Sequence, residues 1–229
     1  LPVAEDIVVV DSYSTDHTPK ICRKYKKVRF IQHAFEGHIQ QKNYALSQTK
    51  FPRVLSVDAD EVLSGKLQET IKHLKNNWTH DGYSINRLTN YCGKWVHHSG
   101  WYPDRKLRLF DKRKGKWGGV NPHDKFMLER GARSKTLKGD LLHYSYPTVN
   151  SHLRQIEKFS EIKSDEKLRH KAKASMLKTI FGTPAKFLKH YVLKGGFLDG
   201  YFGFAIASMS AYSYFITYFK VWLKRHNKG

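Results

Sequence analysis

Along the first third of the chain, short apolar runs alternate with stretches in which apolar residues recur every three or four positions. "DIVVVD" (6–11) is β-branched and ends in an acid, the pattern of a strand buried on both faces. After it, Thr18 is a candidate N-cap with Pro19 at the first helical position, and Ile21, Cys22 and Tyr25 give an apolar helical face. "VRFIQ" (28–32) predicts a second strand, "GHIQQKNYALSQT" (37–49) a helix and "RVLSVDAD" (53–60) a third strand. Leu63, Leu67, Ile71 and Leu74 then recur at helical spacing, with Ser64 as cap. Alternation of this kind predicts an α/β fold with a mainly parallel sheet flanked by helices. Ligands of such sheets gather at the carboxyl ends of the strands, where Asp11, Asp58 and Asp60 are expected.

From 82 to 146 the pattern shortens to strands such as "GYSINR", "KLRLF", "KFML" and "KGDLLHYSY", broken by Gly, Pro and Trp. From about 150 a Lys-rich helical stretch runs to 194, followed by "FLDGYFGFAIASMSAYSYFITYFKVWLKRHNKG", apolar nearly all round. The expected organisation is therefore an α/β domain over 1–148 and a helical, basic, aromatic-rich segment over 149–229.

Charge changes the picture more than length does. In 229 residues, 41 Lys and Arg stand against 20 Asp and Glu, a formal net charge of +21. Residues 150–229 carry 15 Lys/Arg and 5 Asp/Glu, so the excess is spread over both parts. Such a surface implies an anionic partner: nucleic acid, an acidic leaflet or a phosphorylated substrate. No helix-turn-helix, RNP or zinc-finger pattern supports nucleic acid. Cys22 and Cys92 are too few for a disulfide scaffold or a Cys-x-x-Cys site. No signal peptide is visible at the start of the chain.

"VLSVDADEVLS" (54–64) is the candidate chemistry. In extended backbone Asp58 and Asp60 leave on one side, where two carboxylates repel unless a cation lies between them or one takes up a proton. Mg²⁺ or Mn²⁺ completed by phosphate oxygens is one resolution, and a solvated strand-end turn is the plain alternative. A calcium loop would need Asp or Asn at 62 and Gly at 63, where the chain has Val62 and Leu63. "VVVDSYSTD" adds Asp11, Ser12, Ser14, Thr15 and Asp16 near a helix start, suited either to a nucleotide or to capping. Adjacent His97 and His98 are poorly spaced for one metal and read as structural.

Six blocks in order, "EDIVVVDSYSTDHT", "EGHIQQKNYALSQ", "VLSVDADEVLS", "SGWYPDRKLRLF", "LLHYSY" and "LKGGFLDGYFGF", resemble the family 2 inverting glycosyltransferases over nearly the whole chain. The likeness is greatest to the β-1,4-glucosyltransferase-like group that extends the lipopolysaccharide core. The resemblance implies a GT-A fold, a nucleotide-diphosphate sugar donor such as a UDP-hexose, a divalent metal, and a lipopolysaccharide-core or other lipid-linked glycan acceptor. By it, Asp11 meets uracil or ribose, with Ser14 and Asp16 beside it and Lys42 reaching toward the donor. Asp58 and Asp60 become the Asp-x-Asp pair serving ribose and metal-diphosphate. The general base falls in "GGVNPHDKF" at Asp124, where similar proteins commonly carry Glu after His. Trp101, Tyr102, Asp104 and Arg108 are candidate acceptor contacts, although core packing explains the two aromatics equally well. The family normally opens with a further strand and loop before the first block here. That departure leaves an impaired remnant serving as a membrane scaffold as an alternative, and a basic nucleic-acid-binding protein as another.

Residues 201–219 lack charge and, as a helix, would reach about 28 Å, close to a bilayer core of roughly 30 Å. Tyrosines run throughout rather than in two belts, and both flanks are basic. The expectation is therefore peripheral attachment through residues near 175–225 to the cytoplasmic face of a bacterial inner membrane, an anionic leaflet. Packing of this helix on the rest of the protein or on a second subunit is the alternative, and oligomeric state stays open.

Overall fold

A computed structural model of the chain describes residues 3–120, 123–170 and 176–226, with the His123 side chain excluded. Strands β1 (Ile7–Asp11) and β2 (Val28–Gln32) flank helix α1 (Thr18–Cys22), and helix α2 (His38–Ser47) follows. Then come β3 (Arg53–Leu55), β4 (Glu61–Leu63), helix α3 (Gly65–Asn76), β5 (Gly82–Tyr91), β6 (Lys94–Val96), β7 (Asp104–Asp111), β8 (Gly115–Val120), β9 (His123–Leu128) and β10 (Ser134–Tyr146). Helices α4 (Val149–Arg169), α5 (Met176–Leu188) and α6 (Tyr201–His226) close the order, with a π-helical turn at Lys189–Leu193 and a 3-10 turn at Gly196–Asp199 before the last.

The fold is mixed α/β, but the expected mainly parallel sheet does not form. β1 and β2 pair in parallel as a two-stranded sheet, from Ile7 opposite Val28 to Asp11 opposite Gln32. A second sheet has the order β3-β7-β5-β10-β4, with β6 on β5, and β8–β9 form a third. The pairs β3–β7, β5–β6 and β8–β9 are antiparallel. β5–β6 and β8–β9 are too close in sequence for the crossover of roughly a dozen residues that a parallel pair needs, whereas β3 meets β7 from far along the chain. The predicted third strand is also cut short. β3 stops at Leu55, Ser56 N–H still donates to the Arg108 carbonyl (2.8 Å), and residues 59–60 form a turn closed by Glu61 N–H on the Asp58 carbonyl (3.0 Å). Asp58 and Asp60 therefore do not share one side of an extended strand.

Two compact units emerge, residues 1–87 with 105–141, and 88–104 with 142–229. In the first, Leu63, Leu67, Ile71, Tyr83, Ile85, Leu109 and Leu141 form one apolar cluster. Phe110, Trp117 and Phe126 form another. Ser64 caps α3 as expected, its hydroxyl accepting from Leu67 N–H (3.3 Å). The same hydroxyl accepts from Asp140 N–H (3.1 Å), which ties β10 to the helix start. α1 differs: His17 stands at the N-cap without a side-chain bond, and Asp16 rather than Thr18 does the capping, accepting from Thr18 N–H at 2.8 Å.

In the second unit α6 packs against both α4 and α5. Ile206, Ala207, Ala211, Tyr218 and Val221 are buried. Lys220 reaches Glu161 (2.8 Å) and Lys224 reaches Asp165 (2.7 Å) from α6 to α4. Gly203 is obligatory, since a Cβ there would sit 1.7 Å from the Gly196 carbonyl. The aromatic-rich helix expected at a membrane thus buries one side within this unit while Tyr201, Phe204, Tyr212, Phe215 and Phe219 stay exposed, and among the described residues no helix is long and apolar enough to cross a bilayer. His98 accepts its structural reading: its backbone N–H (2.9 Å) and ring (3.1 Å) both meet the buried Asp199.

One backbone approach is tight enough to test. Gly139 has φ of +96°, and a Cβ there would lie 2.5 Å from Leu67 N in the first turn of α3. Gly139→Ala should lower stability by about 2–3 kcal/mol, from the positive φ plus overpacking. Urea denaturation reads this directly, and an unchanged midpoint would show that β10 and α3 can part there at no cost.

Candidate active site

The local sequence "QKN" in α2 has three separate attachments. Gln41 Nε2 donates to Ser12 Oγ (2.9 Å) and its Oε1 meets His33 Nδ1 (3.0 Å), so it binds the loops leaving β1 and β2. Asn43 clamps β8 through both amide atoms, donating to the Trp117 carbonyl (3.0 Å) and accepting from Trp117 N–H (3.1 Å). Ile39 and Leu46 pack on the Phe110–Trp117–Phe126 cluster, which fixes the rotation of the helix. Between these anchors Lys42 is held half-buried, its ammonium 4.5 Å from the centre of the Trp117 ring.

Lys42 Nζ bridges two carboxylates, Asp58 Oδ1 at 3.0 Å and Asp124 Oδ2 at 2.8 Å. The other Asp58 oxygen accepts from Arg108 Nη2 (2.6 Å), and the same nitrogen reaches Glu61 Oε1 (2.9 Å). Glu61 Oε2 accepts from Asp58 N–H (2.9 Å), and Arg87 Nη1 lies 3.8 Å from Glu61 Oε1. A chain of alternating charges thus runs Asp124–Lys42–Asp58–Arg108–Glu61. The Glu61 side chain is fully buried and the Arg108 side chain 6% exposed, so neither charge could be left alone there. Burial acts to raise the Asp58 pKa, but Arg108 and Lys42 outweigh it and hold the carboxyl at about 2. Burial opposes the Arg108 charge, and Asp58 and Glu61 more than restore it.

Asp11 ends β1, buried, its Oδ2 accepting from Ser14 N–H at 2.9 Å across a turn in which Tyr13 has φ of 60°. Ser14 holds the Asp11 carboxyl below its usual range against the opposing effect of burial. Ser14 and Asp16 are exposed in the same loop. The structure therefore groups Lys42, Asp58, Asp124 and Arg108 in one cluster and Asp11, Ser14 and Asp16 in one loop, with α2 bonded to both.

Several expectations change. Arg108, a candidate acceptor contact, is 5% exposed and bonded to Asp58 and Glu61. Asp60 lies in the exposed turn rather than paired along a strand with Asp58. Trp101, Tyr102 and Asp104 belong to the second unit. There Trp101 packs edge-on to Tyr91 (5.7 Å between ring centres) and beside Tyr146, and Tyr102 meets the His97 ring. Asn121 and Pro122 of the block preceding Asp124 lie outside the described residues. Glu61, Gln41 and Asn43 were not anticipated. Glu61 was findable, because alternation in "EVL" puts it on the same face as Leu63, and an acid on a core-facing position needs a buried cation.

Among the described residues no three His, Cys, Asp or Glu side chains are arranged to hold a metal ion. The oxygen donors nonetheless suit a hard divalent cation. The Lys42 ammonium already supplies positive charge between Asp58 and Asp124, so an ion fits Asp58 once Lys42 yields its oxygen.

A family model described as Glycosyl transferase family 2 matches residues 4–137. The chain is 28% identical over 231 residues to a lipopolysaccharide core biosynthesis glycosyltransferase, LpsC, of Rhizobium meliloti, covering 96% of this chain and 83% of that protein. It is 24% identical over 229 residues to an uncharacterised glycosyltransferase of Rickettsia typhi, covering 96% and 78%. Among solved structures, S. aureus TarS 1–349 aligns over 100% of this chain and 84% of that one, with a TM-score of 0.43 and 14% identity, too low a likeness to inform this fold.

The Asp58 shift has a consequence that can be measured. A carboxyl whose pKa falls from 3.8 unfolded to about 2 folded stabilises the protein above the unfolded value, and that stability is lost as pH falls through the folded one. Asp58→Asn should be less stable than wild type by a constant gap above about pH 4, closing as the pH drops toward about 2. Guanidinium denaturation across this range gives the gap, and a pH-independent difference would disprove the ion-pair account.

Proposed function

The chain belongs to glycosyl transferase family 2 and is a glycosyltransferase, and on that premise we propose that it moves a sugar, with inversion, from a nucleotide-diphosphate sugar to a lipid-linked glycan. A UDP-hexose donor and a lipopolysaccharide-core acceptor are the proposed substrates, the latter supported by the name of the R. meliloti relative and by a net charge of +21 facing a phosphorylated acceptor. The observation that carries the reading is Lys42 bridging Asp58 and Asp124.

Transfer makes a diphosphate leaving group, so negative charge grows on the bridging oxygen while the acceptor hydroxyl loses a proton. Asp11, with Ser14 and Asp16 beside it, binds the nucleoside; Asp58 and Asp60 would hold Mg²⁺ or Mn²⁺, which would supply Lewis-acid stabilisation of the diphosphate. Lys42 has a second anion available once donor enters. By turning from Asp124 Oδ2 to a phosphate oxygen it both binds the donor and frees the carboxylate it had occupied. Asp124 then takes the hydroxyl proton as the acceptor oxygen bonds to the anomeric carbon and the bond to diphosphate breaks. The base is released only when donor is present, which protects against premature proton transfer. Arg108 and Glu61 hold Asp58 in place throughout. Trp101, Tyr102 and Asp104 are kept as acceptor contacts on the family resemblance alone.

Asp124→Asn should keep UDP-sugar affinity by calorimetry and lose turnover by about 10²–10⁴-fold, the usual worth of acid–base catalysis. Near-normal turnover would move the base elsewhere. For the metal, Asp60→Ala should weaken UDP-sugar binding in Mn²⁺ and leave binding in EDTA unchanged. Equal affinities of wild type and variant under both conditions would remove Asp60 from the metal site.

A further inference from the structure

α4 and α6 are ion-paired on one flank only. There Lys220 and Lys224 of α6 reach Glu161 and Asp165 of α4, so two cations and two acids cancel. The opposite flank, toward α5, has no such balance. From α4 the Lys167 ammonium stands 4.9 Å from the centre of the Tyr218 ring, and from α5 the Lys178 ammonium stands 5.3 Å from the same centre. One ring of α6 thus gathers cations from two helices. Tyr214, one turn earlier, lies 4.6 Å from Tyr218 between ring centres and packs on Gly182 of α5, where a Cβ would come within 2.4 Å of its hydroxyl. Lys186 follows Gly182 by one turn and Lys163 precedes Lys167 by one turn, near enough that Lys163 is felt as a like charge at Lys186.

Among the described residues none of these four lysines has a carboxylate within ion-pair distance, in contrast to Lys220 and Lys224. The remaining acids of α4, Glu157 and Glu166, are exposed. From Lys167 to the last residue the sole acid in the sequence is Asp199, buried and bonded to His98. Crowding of like charge leaves its mark. Burial, together with Lys189 and Lys163, lowers the Lys186 pKa. Burial acts to raise the Tyr218 pKa, and Lys167 and Lys178 more than reverse it. Lysines left to solvent spread apart, whereas these converge from two helices on a tyrosine pair with no acid among them. The ligand such a cluster selects is a compact, multiply charged anion. Flexible ammonium groups suit the oxygens of a phosphate, which need no planar fork.

We propose that Lys163, Lys167, Lys178 and Lys186 form a phosphate-binding site in the second unit, and that the phosphate it holds is one carried by the glycan acceptor. The assignment to the acceptor rests on the proposed function; the site itself does not.

Calorimetric titration of inorganic pyrophosphate into the full chain in EDTA tests the site without donor, metal or acceptor. Binding should weaken by about tenfold or more when all four lysines are replaced by Gln. Thermal unfolding of the free variant should not be lowered, since like-charge crowding is relieved. A charge-matched control carrying Lys20→Gln, Lys26→Gln, Lys135→Gln and Lys138→Gln, all exposed, should bind as wild type does. With a lipopolysaccharide-core acceptor, the four-lysine variant should raise the acceptor KM and leave the donor KM and kcat unchanged. Pyrophosphate binding that depends on the four lysines, with no transfer even by wild type, would sink the transferase reading and keep the site. Equal weakening in both Gln variants, or equal affinity of wild type and the four-lysine variant, would overturn the site. Pelleting with phosphatidylglycerol-containing vesicles that pyrophosphate reverses and the four-lysine variant loses would give the cluster to lipid headgroups and overturn the acceptor assignment.

Discussion

A guanidinium almost sealed from water sets the geometry of the first unit. Arg108 sits on β7 with 6% of its side chain exposed, and an arginine there must find carboxylates or the strand cannot be buried. It finds two. Glu61 is the first residue of β4, and Asp58 ends the irregular segment before it, so one cation fixes both sides of the 58–61 turn. The turn in turn presents the second Asp58 oxygen to Lys42, and Lys42 reaches Asp124. Removing Arg108 would leave buried Glu61 facing Arg87 at 3.8 Å in place of a hydrogen-bonded cation at 2.9 Å, part of a defect that costs about 3–5 kcal/mol when a buried charge loses its partner outright. The geometry of the cluster therefore derives from a residue almost sealed from water.

α2 is the second constraint, and its role follows from residue spacing. Ile39, Asn43 and Leu46 fall on one helical face and lock onto the aromatic cluster and the β8 backbone. Gln41 and Lys42, on adjacent positions, then face two different things, the β1 loop and the carboxylates. A helix with weak amphipathicity and no acidic first turn would be marginal alone. Here its polar residues are attachments, and its place is secured by tertiary hydrogen bonds rather than by propensity.

Much of this was legible in sequence, and what was not has identifiable causes. The strands at 7–11 and 28–32, the helix near 38–47 and the Ser64 cap follow from β-branching, periodicity and capping chemistry, all local. Sheet direction is not local. The alternation of strands and helices in the first 76 residues suggested crossovers, yet β3 chose β7, far along the chain, as an antiparallel neighbour. The Asp-x-Asp acids were findable as candidates, but their relative geometry depended on where β3 stopped, which Arg108 decides from fifty residues away. Arg108 itself read as an exposed binding residue because a sequence does not display burial. The C-terminal helix is ambiguous for a different reason. Residues 201–219 look most like a membrane element because they lack charge, but lack of charge also suits a helix packed against α4 and α5.

The charge balance of the cluster bears on the proposed donor and metal. Asp58, Glu61 and Asp124 are matched by Lys42, Arg108 and Arg87, so the cluster is close to neutral with no substrate bound. On the proposed function, a nucleotide diphosphate entering such a site would add negative charge beside Asp58, where burial is outweighed by Arg108 and Lys42 and the carboxyl is held at about 2. Lys42 can shift its attention to the phosphates, but that only transfers the deficit to Asp58 and Asp124. On the proposed function, Asp58 would be one of the carboxylates holding a divalent cation, whose charge would offset the diphosphate. The resting ion pair with Lys42 keeps Asp58 ionised and oriented.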